Sequence, residues 1–230
     1  MTTEDTSRVN KYIAHATGLS RREVDNAISA GRVTINGVKA IMGAQVAPTD
    51  TVQLDGKPIV TQANYTYLAF HKPVGYVCSR RAQGEYPTIY TLLPAEYRAL
   101  KPVGRLDRDS SGILLLTDDG DFAHTMTHPK FQKRKVYEVV LDHELEPLHH
   151  QMINDHGVTL DDGHSQLTLE RLSDTDRTQW RVTMSEGRNR QIRRTFAALG
   201  YTVTKLHRIQ FGLYQLDNLP SGQSQRTDRL

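Results

Sequence analysis

Apolar positions early in the chain recur at helical spacing. Val9, Ile13, Ala14 and Ala16 fall on one side of a helix that Gly18 can end. Ser20-Arg21-Arg22-Glu23 is a capping-box pattern, in which serine and glutamate side chains satisfy two amides of a new helix. Val24, Ala27 and Ile28 share one face of that second helix, and Gly31 stops it. The period then changes to two. Val33, Ile35 and Val38 alternate around Asn36-Gly37, a pair suited to the left-handed backbone of a tight hairpin. Asp55-Gly56 marks another such turn. Residues 1–58 therefore read as a small domain of two helices and a hairpin sheet, and 59–64 as a linker.

A larger domain is expected over 65–230. The pattern predicts strands at 66–70, 112–117, 136–141, 166–172 and 179–184, and helices at 121–127, 147–154 and 189–199, with Gly200 as a stop. Strands follow one another without a helical crossover. The expected class is thus α+β, with a mixed, mostly antiparallel sheet flanked by helices.

Composition narrows the function classes. No stretch approaches the roughly 18 apolar residues of a membrane span. The N-terminus, MTTEDTSRVN, lacks a signal-like apolar region. Cys78 is the single cysteine, which excludes an internal disulfide and a cysteine-rich zinc site. A reducing, cytoplasmic setting is the expectation. His124 and His128 have helical ligand spacing, but no third ligand follows at a telling interval, so no metal is expected. The net charge of +3 says little, but its distribution says more. Basic residues outnumber acidic ones three to one between Arg8 and Lys39, and six to one between Glu186 and Arg208. Such patches suit RNA phosphates or simply solvated faces.

The first basic stretch carries a resemblance. Arg8, Lys11, Tyr12, Ile13, Ser20, Arg21, Gly31, Val33, Asn36 and Gly37, ending in R-V-x-I-N-G, resemble the S4 RNA-binding domain. The resemblance implies that Arg8, Lys11, Arg21, Arg22 and Arg32 grip structured RNA by shape and phosphate.

The candidate chemistry lies in the segment Gly104-Arg105-Leu106-Asp107-Arg108-Asp109-Ser110-Ser111-Gly112. It leads into Ile113-Leu114-Leu115-Leu116, an apolar run expected to be a buried strand. A charged loop fixed to a core strand can present a carboxylate rigidly. On spacing alone, Asp107 and Asp109 are equivalent, and a surface turn paired with Arg105 and Arg108 is the simpler reading.

Four ordered motifs alter that balance. Lys72-Pro73-x-Gly75-Tyr76, the Gly104–Thr117 segment, Lys135-x-Tyr137 and Glu186-Gly187-Arg188-x-x-Gln191-Ile192-Arg193-Arg194 resemble the pseudouridine synthases, and within them the RsuA branch. With the S4-like segment, the resemblance covers nearly the whole chain. It implies that a uridine is isomerised by breaking its N1–C1′ bond, turning the uracil and rejoining it through C5, with no cofactor. Asp107 is then the catalytic carboxylate. Attack at C1′, addition at C6 and abstraction of the 2′ proton all remain open. Arg193 is the implied charge partner of Asp107, and Tyr137 the residue that stacks on uracil and can shuttle a proton. Arg105 either helps flip the nucleotide or forms a local salt bridge. Leu206 packs on the base or simply in the core. Lys72, Arg188, Arg190 and Arg194 are implied RNA contacts.

The expected partner is ribosomal RNA, or a ribosomal assembly intermediate, of the small subunit. The expected protein is a monomer with no membrane partner. A large-subunit rRNA synthase is the alternative within the class. A non-catalytic RNA-binding assembly protein is the rival from another class, and a nucleic-acid glycosidase is a third reading.

Overall fold

The computed structural model describes residues 6–60, 65–81 and 83–230. They form two compact units, one running through Thr66 and including Asp118–Gly120, the other Tyr67–Thr117 with Asp121–Leu230.

The smaller unit follows the local signals closely. Helix α1 (Val9–Thr17) ends at Gly18, whose φ of 74° lets its amide return to the Ala14 carbonyl at 3.1 Å. Helix α2 (Arg21–Ser29) starts with the full capping box: the Glu23 amide donates to Ser20 Oγ at 3.2 Å, and the Ser20 amide to Glu23 Oε2 at 2.7 Å. Strands β2 (Val33–Ile35) and β3 (Val38–Lys39) are joined by Asn36-Gly37, and β5 (Val52–Leu54) and β6 (Lys57–Pro58) by Asp55-Gly56. All four turn residues have positive φ. These strands make a sheet in the order β3-β2-β5-β6, while β1 (Ser7–Arg8) pairs with β4 (Gln45–Val46). Val9, Ile13, Val24, Ile28, Val33 and Val52 form the core. Ile59, expected in a linker, packs on that core and donates its amide to Val52 O at 2.8 Å. Residues 61–64 of the expected linker lie outside the described residues.

The larger unit is a mixed α+β structure built on one sheet, as its sequence pattern predicts. Its strands are β7 (Tyr67–Lys72), β8 (Lys101–Pro102), β9 (Ser111–Thr117), β10 (Lys135–Leu141), β13 (Thr168–Arg171), β14 (Gln179–Met184), β15 (Val203–Phe211), β16 (Tyr214–Gln215) and β17 (Ser224–Thr227). A separate hairpin pairs β11 (Val158–Leu160) with β12 (Gly163–Ser165). The main order is β13-β14-β10-β15-β9-β7-β17, with β16 beside β15 and β8 beside β9. Every pairing is antiparallel except β9 with β15. That parallel seam aligns Ser111 with His207 and Gly112 with Arg208.

Both faces of β9 are covered, which explains its unbroken apolar run. Leu114 and Leu116 join the core that contains Phe70, Val139, Trp180 and Phe196, the last from helix α5 (Gln191–Ala197). Ile113 and Leu115 join the opposite core, with Phe122 and Met126 of helix α3 (Gly120–Thr127). The expected helix at 147–154 is a short α4 (Pro147–Gln151) continued by a π-helical turn over Met152–His156. Strand β15 has no counterpart among the predicted strands, although it lies at the sheet's centre.

Candidate active site

The loop before β9 is held from beneath by Lys72. This residue ends β7, opposite Gly112, and is fully buried. Its ammonium donates to the carbonyls of Ser110 at 2.7 Å, Asp107 at 2.9 Å and Pro73 at 3.0 Å, with Arg108 O at 3.5 Å. The expectation that Lys72 meets RNA is therefore corrected. Its donors are taken by carbonyls, and it clamps the loop that carries Asp107. Burial lowers its pKa from 10.5 to about 8, partly offset by the negative groups nearby. The Gly75 amide adds a second tie, to Arg108 O at 2.7 Å.

Gly112 is required by a close approach. It has φ of 113°, and a Cβ there would stand 2.1 Å from Arg208 O. The parallel seam can close only around a residue without a side chain. This places Asp107 and the middle of β15 at one locus.

Asp107 is partly exposed, and the nearest cation is Arg190, with Nη1 at 3.5 Å from Oδ2. Arg190 precedes α5 in the left-handed conformation, φ 48°, and forks onto Asp109 at 3.1 and 3.2 Å. The expected pairing of Arg193 with Asp107 is not what the structure shows. Arg193 Nη2 donates to the Asp109 carbonyl at 2.8 Å and lies 3.5 Å from its carboxylate, while Nη1 donates to Val203 O at 2.6 Å. From the first turn of α5, its fork reaches the loop backbone and the start of β15 together. Arg193 thus ties down the loop, and Arg190 supplies the charge beside Asp107. Burial pushes the Asp109 carboxyl up, but Arg190 and Arg193 outweigh it and leave its pKa below the usual carboxylate range.

A cavity of about 290 Å³ opens against Asp107. Tyr137, Met184, Ile192, Leu206 and Phe211 supply apolar wall, and Lys135 and Arg208 supply cations. Tyr137 and Leu206 are each 7% exposed, so they belong to the core and line the pocket at once. Leu206 takes the core position considered for it, and its side chain also faces the pocket. Lys135 is depressed to about 8 by burial and by the charge of Arg208, against the opposing pull of Glu186.

Arg208 was not singled out as a site residue from sequence. It is 2% exposed, donates from Nε to Ile113 O at 2.9 Å, and sits 4.7 Å from the Phe211 ring centroid. Its Nη2 is buried and has no hydrogen-bond partner among the described residues. A buried guanidinium nitrogen left without an acceptor on a pocket wall can receive a ligand's oxygen. The sequence signal for it was the stretch Leu206-His207-Arg208, which resembles a pocket-lining segment of the family but did not single out the arginine.

Other expected RNA contacts are engaged within the protein. Arg188 donates to Asp162 and to His164 O, both at 2.7 Å, and Arg194 pairs with Asp161 and Asp162. These bonds fasten α5 and the segment before it to the hairpin of β11 and β12. Arg105 and Arg108 are exposed, and among the described residues neither has a carboxylate within the 4.0 Å of an ion pair. The local salt bridge considered for Arg105 is accordingly not formed. In the smaller unit Arg8, Arg21 and Arg22 are exposed and Lys11 is half-buried. Arg32 forks onto Asp55 at 2.7 and 2.5 Å. The rings of His124 and His128 meet at a tilt with centroids 4.8 Å apart, and no set of three metal-binding side chains gathers among the described residues.

Comparison with known proteins gives this arrangement a context. The family model described as RNA pseudouridylate synthase matches residues 66–198. Ribosomal small subunit pseudouridine synthase A of Pasteurella multocida is 38% identical, over 92% of this chain and 91% of that protein. Ribosomal large subunit pseudouridine synthase B of Bacillus subtilis is 32% identical, over 94% and 90%. A crystal structure of a pseudouridylate synthase superposes with a TM-score of 0.68 at 33% identity, covering 96% of both chains. With identity of this extent along nearly the full length, the chain belongs to the RNA pseudouridylate synthase family and is an isomerase.

Proposed function

We propose that this enzyme converts a uridine of ribosomal RNA to pseudouridine, with Asp107 as the catalytic carboxylate and small-subunit rRNA as the substrate. The observation that carries the reading is the placement of Asp107 on the wall of a pocket with an apolar, aromatic side and a cationic side. A uracil between Tyr137 and Leu206 presents its glycosidic bond to that carboxylate. Arg190, 3.5 Å away, orients that carboxylate toward the pocket. Lys135 and Arg208 face the side on which carbonyl oxygens or phosphate must be received. Detached uracil stays enclosed while it turns, so that C5 rather than water meets the ribose.

The ribosomal assignment rests on the relatives, whose names specify ribosomal subunits. The small subunit is preferred because the Pasteurella relative is the more similar of the two. The smaller unit acts as an S4-like RNA anchor in this reading, with Arg21 and Arg22 exposed on the first turn of α2. Changing both to glutamate should flatten the salt dependence of RNA binding, by about 0.7–0.9 in slope per lost phosphate contact. An unchanged slope removes the anchor from the proposal.

The decisive experiment maps pseudouridine in both rRNAs of a strain lacking the protein. One uridine of small-subunit rRNA should remain unmodified. Restoration is expected from wild type and not from Asp107→Asn, whose turnover should fall at least about 10³-fold with RNA affinity retained. A missing pseudouridine in large-subunit rRNA would reassign the substrate. Intact maps in both rRNAs would refute it, and a wild type that only binds ribosomal particles would support the assembly-protein reading.

A further inference from the structure

A second cavity, of about 480 Å³, adjoins the pocket just described. Arg105, Leu106, Asp107, Asn189 and Arg190 form a wall common to both. Its opposite side is made by the chain around Val77 and Tyr86, which the isomerisation itself does not use. That side is fixed by backbone bonds. The Val77 amide donates to Pro87 O at 3.0 Å, and the Ile89 amide returns to Val77 O at 3.1 Å. Tyr86 is thereby held beside the Asp107 loop while remaining 49% exposed.

The guanidinium carbon of Arg108 lies 4.1 Å from the centre of the Tyr86 ring. Four other arginines of this region, Arg188, Arg190, Arg193 and Arg194, are paired with aspartates. Arg108 has no such partner among the described residues, so its charge is not neutralised locally. An exposed arginine resting on an exposed tyrosine adds little to stability and is well suited to a nucleobase. Bases stack on aromatic rings and guanidinium planes alike, and the cation also attracts the adjoining phosphate. The two cavities meet along one strip of chain. That arrangement suits two bases that are neighbours in an RNA strand and are splayed to opposite sides of the strip.

We propose that Tyr86 and Arg108 form a subsite for the nucleotide next to the target uridine, whose base stacks on them while the uridine occupies the Asp107 pocket. The subsite rests on the proposed reaction for the identity of its neighbour, but its energetics are separable from turnover.

The test uses short RNAs carrying the mapped uridine, either intact or with an abasic residue at one flank or the other. Affinity and kcat/KM are measured for wild type, Tyr86→Phe and Tyr86→Ala. Loss of the base at one flank should weaken wild type and Tyr86→Phe about 10-fold, the scale of one stacked base. Tyr86→Ala should be weakened to a similar degree on intact RNA and be indifferent to the abasic change. Equal losses in wild type and Tyr86→Ala, or no loss at either flank, overturn the subsite. Coupling in affinity without conversion of uridine would retain the subsite and refute the proposed reaction. Conversion without coupling would do the reverse.

Discussion

Replacing Lys72 with methionine should separate stability from activity. At neutral pH the ammonium is charged, and the fall in its pKa from 10.5 to about 8 corresponds to ~3 kcal/mol against that charged form in the fold. Methionine removes this cost. It also removes the donor from the loop carbonyls, but Asp107 O keeps the Ser110 amide at 3.1 Å and Arg108 O keeps the Gly75 amide at 2.7 Å. The loss falls on the carbonyls of Pro73 and Ser110, at about 1 kcal/mol each. The two effects nearly cancel, so Lys72→Met should unfold within about 1 kcal/mol of wild type at pH 7. Turnover should nevertheless fall about 100-fold, because the loop bearing Asp107 is no longer held to within an ångström. The pH dependence has a definite sign. The folded pKa lies below the unfolded one, so the unfolded chain binds more protons between pH 8 and 10.5. The destabilisation is full below pH 8 and is relieved as pH rises through that window. Urea unfolding from pH 7 to 10.5 should show a steeper slope in wild type than in Lys72→Met, where Lys135, also lowered to about 8, still titrates in that window. A variant destabilised by 3 kcal/mol or more, with normal turnover in its folded fraction, would refute the reasoning.

Two further substitutions probe the seam and the pocket. Gly112→Ala should destabilise the larger unit by about 4 kcal/mol or more, since its Cβ meets the Arg208 backbone at 2.1 Å; near-normal urea unfolding would contradict the assigned role of this glycine. Arg208→Met should raise the Lys135 pKa above its value of about 8 while leaving it below 10.5, because burial persists; an unmoved Lys135 titration by NMR would show that the two charges do not interact.

Local signals were legible wherever the chain's neighbours in sequence decide the structure. The capping box at Ser20, the two hairpin turns and the doubly buried run of β9 all belong to this class. Strand β15 escaped because Lys205, His207 and Arg208 interrupt its apolar pattern, and its stability comes from β10 and β9 far away in sequence. Charge was misleading for a related reason. A lysine or arginine reads as a surface contact until its partner is known, and the partners of Lys72, Arg188 and Arg194 lie tens of residues away. The motif distinguished Asp107 from Asp109, but it did not reveal that Arg193 grips the loop backbone while Arg190 reaches the carboxylate.

The parallel seam also bears on how the enzyme matures. Ser111 Oγ and His207 Nδ1 meet at 2.8 Å across 96 residues of chain, and the seam itself spans only two aligned pairs. The hairpins on either side can form from nearer contacts, whereas this junction requires a long loop to close and is expected late in folding. Until it closes, Arg208 and Leu206 are not beside the loop of Asp107. Catalytic competence should therefore appear as a late event in refolding, lagging the recovery of secondary structure, and a newly made chain cannot modify RNA before β15 has emerged.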